Sequence, residues 1–339
     1  MNSFLSKLYY YPIRFYVAAC CHLYFRRLKF KGLENIPAQG PVIYAINHQN
    51  SLLDAFVCNA ASKRDPYFLT RGDVFKNKYI GKFLRSIKML PIYRTRDGTH
   101  SIRKNEQVFN TTQDILRAGG LVAVFPEGSH SLTHKIRPLK KGIARIAFGA
   151  EVAADFQLNV QILPVGISYE SYFSPKGRTL VCFGKPVKLA NYKQLHAQDE
   201  KKAYRELLAH LYQGMKSLTV HIEPANYQEV LRLFREKRVY KSSLENQLKA
   251  DQDLVTSLET GKPFKERDDP ENDFIKALKW IERSLRWSLS VLPMKMVDFL
   301  VRRTVKDAHF IGTFKFSYAM FVYPIFFISI YFLLSLILL

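Results

Sequence analysis

The apolar positions of this chain change their period several times. Residues 4–25 (FLSKLYYYPIRFYVAACCHLYF) are apolar and aromatic, interrupted by Lys7, Arg14 and His22. A secretory signal carries its charge first, then a clean apolar run and a small-residue cleavage site, and this segment has none of these. The pattern predicts an interfacial helix over residues 1–27, with Tyr and Phe at headgroup level and Arg26, Arg27, Lys29 and Lys31 against anionic lipid. The other reading is a core helix of the domain that follows.

Residues 28–222 alternate short β-rich runs with helix-like stretches. Strands are predicted at 41–46 (PVIYAI), 67–70 (YFLT), 89–93 (MLPIY), 121–125 (LVAVF), 160–166 (VQILPVG) and 179–183 (TLVCF). Helices are predicted between them, near 51–60, 73–87, 102–118 and 142–154. Alternation of this kind predicts an α/β fold, a mostly parallel sheet flanked by helices on both faces. The near-continuous apolar strands agree.

Residues 223–268 turn charged and helical in period and end in GKPFKERDDPEN, which reads as a solvated helical extension and linker. Residues 269–339 form a C-terminal membrane-associated region. Within it, 287–301 (WSLSVLPMKMVDFLV) contains Pro293, Lys295 and Asp298 and is too polar for a clean span; it is a half-inserted arm or a core helix. Residues 316–339 carry no charge and are long enough to cross ~30 Å of hydrocarbon as a transmembrane helix. Arg302, Arg303, Lys306 and Lys315 precede it, which places its N-terminal side, and the catalytic domain, on the cytoplasmic face of a membrane.

Charge sharpens this picture. Lys and Arg number 51 against 29 Asp and Glu, a formal net charge of +22, so the partner is anionic. Aromatic residues at 14% and the clustered apolar runs favour an anionic membrane surface over nucleic acid. Cys20, Cys21, Cys58 and Cys182 form no CxxC, which indicates neither a zinc site nor a disulfide framework and fits a reducing compartment.

Three segments carry candidate chemistry. His48, in NHQNSLLD, follows a predicted strand and opens a helix, with Asp54 about one turn on. A carboxylate there can fix an imidazole tautomer and stabilise the imidazolium formed when a hydroxyl proton is taken. Ser51-x-x-Asp54 is equally a capping box, in which Asp54 only satisfies a helix N-terminus. FPEGSHS, with Glu127, Gly128 and Ser129, follows the strand LVAVF at the strand end where α/β folds place ligands. Lys135, Arg137, Lys140 and Lys141 then crowd a loop leading into the helix near Gly142, a natural phosphate or carboxylate site. LPIYRTRD ends a strand in Arg94 and Arg96, the side chain best shaped for bidentate phosphate binding. The plainer readings are an ordinary turn for FPEGSHS, a solvated basic loop for the cations after it, and a surface turn for LPIYRTRD.

Together these segments resemble the glycerolipid acyltransferase family, whose bacterial type member is 1-acyl-glycerol-3-phosphate acyltransferase. NHQNSLLD is similar to its His-x4-Asp block, LPIYRTRD to its Arg-bearing block, FPEGSHS to its FPEGTRS block, and ILPV to its fourth, a strand with a buried Pro. The order matches over residues 47–165. The resemblance implies transfer of a fatty acyl chain from acyl-CoA or acyl-carrier protein to a hydroxyl of 1-acyl-glycerol 3-phosphate, without metal, further cofactor or acyl-enzyme. It implies His48 as base and Asp54 as its partner, with Arg94, Glu127, Gly128, Ser129, Lys140 and Lys141 around a phosphorylated lipid acceptor.

Two departures stand out. Five residues, not four, separate His48 from Asp54, a spacing also found in some glycerol-3-phosphate and dihydroxyacetone-phosphate acyltransferases, so those acceptors, or another lipid hydroxyl, are the alternative. The family's Arg in FPEGTRS is His130 here. A lipid hydrolase would need a G-x-S-x-G elbow, which the chain lacks. A non-enzymatic basic membrane-tethered module would not need a His–Asp pair and a Glu–Gly turn at strand ends.

Overall fold

The structure, a computed structural model, describes residues 3–93, 100–263 and 290–338. The chain opens with α1 (Ser3–Tyr24), β1 (Arg27–Lys31), β2 (Val42–Ile46), α2 (Leu52–Ala61), β3 (Pro66–Arg71), α3 (Lys78–Ser86), β4 (Met89–Ile92), α4 (His100–Arg117) and β5 (Leu121–Val124). There follow α5 (Gly142–Val152), β6 (Gln161–Tyr169), β7 (Arg178–Phe183), β8 (Val187–Lys188), α6 (Lys193–Gln198), α7 (Glu200–Ser217), α8 (Tyr227–Lys237) and α9 (Leu244–Thr260). Helical residues 290–304 (α10) and α11 (Ile311–Leu338) close the described chain.

The strands form one sheet in the order β1-β7-β6-β2-β5-β3-β4, with β8 beside β6. Pairing is parallel from β6 through β2, β5 and β3 to β4. β6 meets β7 and β8 antiparallel. In β2 every residue is buried, because helices cover both faces. Val42, Tyr44 and Ile46 point to a core shared with α1, α2, α10 and α11. Ile43 and Ala45 point to a second core under α4, α5 and α7. This is the three-layer α/β arrangement predicted by the alternation. Pro164 sits inside β6, where its missing N–H is harmless, since the neighbour changes there from β8 (Gln161, Ile162) to β7 (from Val165).

Several boundaries differ from the sequence reading. Arg27, Lys29 and Lys31 lie on β1, an edge strand paired with β7, not on a lipid-facing helix. Lysines on an edge guard it against further pairing. The helix predicted over 73–87 divides into a 3₁₀ turn at Gly72–Phe75 and α3, whose N-cap Asn77 accepts from the N–H groups of Tyr79 and Ile80. Helix α1 packs on the domain along one face and leaves another open. Tyr10, Val17, Cys21 and Tyr24 are buried, whereas Leu8, Phe15 and Leu23 are exposed.

The segment 223–268 is not simply solvated. Val230, Leu231 and Phe234 of α8 and Leu244, Leu248, Leu254 and Val255 of α9 make a third core with Leu180 and Cys182 of β7. Their helical spacing hid among charges that occupy the opposite faces. Residues 290–304 behave as a core helix, with Val297 and Val301 buried, and also expose Leu292 and Phe299. Helix α11 starts before the predicted span, and its first turns are packed: Phe316 is buried against Tyr24 and Phe56, and Lys315 pairs with Asp298 at 2.7 Å.

Candidate active site

The carboxyl ends of β2, β5, β3 and β4 share one edge of the sheet, so the loops after them converge. After β2, Asn47 extends the pairing with its side chain. Its amide donates to the Ile167 carbonyl (3.0 Å) and accepts from the Ile167 N–H (2.7 Å). This fixes the backbone from which His48 departs.

The His48 ring meets Asp54 at Nδ1···Oδ2 2.8 Å. The Asp54 side chain is wholly buried, and the imidazole keeps 15% exposure. The same Oδ2 accepts from the N–H groups of Gln49 and Asn50, each at 2.9 Å. Oδ1 accepts from the Tyr169 hydroxyl at 2.8 Å. Asp54 therefore caps the turn and orients the imidazole with one carboxylate, so the two sequence readings are not exclusive. The Ser51 hydroxyl makes no cap hydrogen bond. Ser51 has φ 52 and ψ −128, a conformation that costs about 1–3 kcal/mol. In this turn the Leu53 N–H returns to the Asn50 carbonyl at 3.1 Å, and the five-residue spacing still lets ring and carboxylate meet.

The FPEGSHS turn is laced to His48. The Phe125 ring stacks on the imidazole with centroids 4.1 Å apart. His48 N–H donates to Glu127 Oε1 at 2.9 Å, and Ser131 N–H donates to the His48 carbonyl at 3.0 Å. Glu127 Oε2 takes the Arg137 guanidinium at 2.9 Å, and Arg137 also reaches Ser129 Oγ at 2.8 Å. Both oxygens of Glu127 are thus occupied. Burial pushes its carboxyl above the ordinary value, although the His48 N–H and Arg137 oppose this. Gly128 takes φ 77, which a side chain resists.

His130 lies edge-on to His48, with centroids 5.5 Å apart. Burial, reinforced by His48 and His309, lowers its pKa to about 4, so it is no cationic substitute for an arginine at neutral pH. Lys140 and Lys141 are exposed at the start of α5. Arg94 lies outside the described residues. Its neighbour Tyr93 is clamped by Asn105 of α4, whose carboxamide meets the Tyr93 N–H (2.8 Å) and carbonyl (2.7 Å). Among the described residues no cluster of His, Cys, Asp or Glu has the makings of a metal site.

Residues 27–168 match the family model described as Acyltransferase, a span that contains the whole His48, Asp54 and Glu127 constellation. Residues 27–168 form an acyltransferase-family domain. The acyltransferase is 27% identical over 187 residues to 1-acyl-sn-glycerol-3-phosphate acyltransferase of Bacillus subtilis, covering 53% of this chain and 84% of that protein. It is 26% identical over 138 residues to glycerol-3-phosphate O-acyltransferase 2 of Saccharomyces cerevisiae, covering 40% of this chain but only 18% of the yeast protein. The crystal structure of the 1-acyl-sn-glycerophosphate acyltransferase of Thermotoga maritima aligns with a TM-score of 0.44 at 20% identity, over 64% of this chain and 84% of that one.

Sequence reasoning missed several residues around the site of the acyltransferase. Tyr169 sits 115 residues from Asp54 and belongs to no motif. Tyr227 accepts through its hydroxyl from the His134 N–H (2.9 Å), and His221 Nδ1 accepts from the Ile136 N–H (2.9 Å). The basic loop is thus held by Tyr227, from the segment taken for a linker, and by His221 just before it. Burial lowers the His221 pKa, which keeps Nδ1 available as an acceptor.

Proposed function

We propose that this acyltransferase moves a fatty acyl chain from acyl-CoA or acyl-carrier protein to the hydroxyl of 1-acyl-glycerol 3-phosphate, with His48 as general base. The observation that carries this reading is the 2.8 Å contact between His48 Nδ1 and Asp54. It leaves Nε2 without a hydrogen-bond partner among the described residues, on a ring that keeps 15% exposure. The acceptor O–H gives its proton to Nε2 as its oxygen attacks the thioester carbonyl. Asp54 stabilises the imidazolium, and the departing thiolate recovers the proton.

Lys140, beside Gly128, and Lys141, both exposed, together with Arg94 of the LPIYRTRD segment, hold the acceptor phosphate in this reading. Glu127 and Ser129 contribute by anchoring Arg137 and the His48 backbone. The relative from Bacillus subtilis, matched over most of its length, supports 1-acyl-glycerol 3-phosphate as acceptor. The His-x5-Asp spacing and the yeast relative favour a second reading, glycerol 3-phosphate as acceptor. A panel of both acceptors, each offered with labelled acyl-CoA and acyl-carrier protein, separates the two. Preference for glycerol 3-phosphate would replace the first reading by the second.

The protein works at a membrane, with its catalytic domain on the cytoplasmic face. Among the described residues one helix, Ala308–Phe332, is long and apolar enough to cross a bilayer. The exposed apolar face of α1 lies beside the packed base of that helix, where the Tyr16 hydroxyl donates to the Met320 carbonyl.

A further inference from the structure

Helix α11 begins at the catalytic turn. Gly312 has no room for a side chain, since a Cβ there would run into the Tyr172 carbonyl oxygen and the Asn50 carboxamide. The next residue, Thr313, is 6% exposed. Its hydroxyl donates to the Asn50 carbonyl at 2.9 Å and accepts from the Leu53 N–H at 3.3 Å. Asn50 and Leu53 are the two ends of the turn around Ser51, and the Asn50 N–H is bound to Asp54 at 2.9 Å. Just before, the Phe310 and His309 rings lie against His130, at 4.9 and 5.8 Å between centroids, and His130 lies against His48. A backbone with φ 52 at Ser51 persists only where its surroundings over-determine it.

We propose that Thr313 is a positioning residue for acyl transfer. Through Asn50 and Leu53 it holds the turn that sets the His48 imidazole against Asp54, which makes the base of the apolar C-terminal helix part of the active site. The inference rests on His48 acting as base.

The test uses the full chain in native membranes, comparing Thr313→Val, Thr313→Ser and His48→Ala. Turnover, acceptor KM and thermal melting are measured on the same preparations. Valine keeps the shape and removes the hydroxyl; serine keeps the hydroxyl. Thr313→Val should lose about tenfold or more in kcat, the equivalent of one displaced hydrogen bond, with acceptor KM within about twofold. Thr313→Ser should stay within about threefold of wild type. The inference is overturned if Thr313→Val turns over like wild type or if serine fails as badly as valine. It is also overturned if the lost turnover is matched by an equal loss of folded protein. Substantial turnover by His48→Ala defeats the base itself. An inactive His48→Ala beside an unaffected Thr313→Val defeats this inference alone.

Discussion

At the scale of residues, one carboxylate does two jobs. Asp54 ends the backbone N–H groups of the turn and fixes the imidazole, so its loss should be felt in stability and in rate together. Asp54→Asn should lower stability by about 1–3 kcal/mol and cut kcat by about 100-fold or more with little change in acceptor KM. Near-normal turnover with only a lower melting temperature would leave Asp54 a cap. Tyr169→Phe removes one hydrogen bond to the same carboxylate and should cost about tenfold in kcat, less than Asp54→Asn. Two imidazoles bring a pH dependence. Burial lowers His134 to about 4, helped by Arg238 and Arg235, and His130 similarly to about 4, from an ordinary value of 6.5. The unfolded chain binds these protons near the ordinary value and the folded chain only near pH 4. Stability therefore rises with pH across that window and falls on acidification through it. The melting temperature should drop from pH 7 to pH 5, and His134→Gln should make the slope shallower; an unchanged slope would remove His134 from this account.

At the scale of elements, α11 has a packed base and an exposed apolar length that the sequence shows as one apolar run. Its first three turns pack on α1, α2 and α10, and residues 321–338 remain, about 27 Å of helix at 1.5 Å per residue. That length comes within about 3 Å of the ~30 Å of a hydrocarbon core. Shortening the chain should therefore act in two steps. A chain ending after Val322 should keep its fold and a working site while losing the need for detergent extraction. A chain ending at Lys306 should lose activity, because Thr313 and Phe316 go with it. Activity in the shorter chain, measured against purified acceptor in detergent, would show that α11 is an anchor alone. Its lack of charge made the apolar run itself legible in the sequence. The sequence did not show the clamp, because one Gly and one Thr carry no periodic signal and meet Asn50 only across more than 250 residues. The same holds for β1, whose RLKFK reads as cations set against anionic lipid until β7 pairs with it.

At the scale of the whole molecule, the parallel sheet and the four motif blocks were legible because strand and motif are local. The alternating apolar runs became β2, β5 and β6 within a few residues, and His48, Asp54 and Glu127 stand together at their ends. The supports of the site were not legible, since Tyr169, Thr313 and Tyr227 are brought in by topology. The roles of the outlying cations belong to this scale too. Arg94→Ala and the double change Lys140→Ala, Lys141→Ala should raise the KM for the acceptor severalfold more than that for the acyl donor. Equal rises would mean that these residues shape the cleft without holding the phosphate. The central claim, that this fold delivers His48 as the base of acyl transfer, is tested most directly by the transfer rate of His48→Ala. The assay uses labelled acyl donor and the preferred acceptor, with the variant present at wild-type level in the membrane. The account predicts a loss on the order of 10² to 10⁴-fold; a rate within about tenfold of wild type would contradict it.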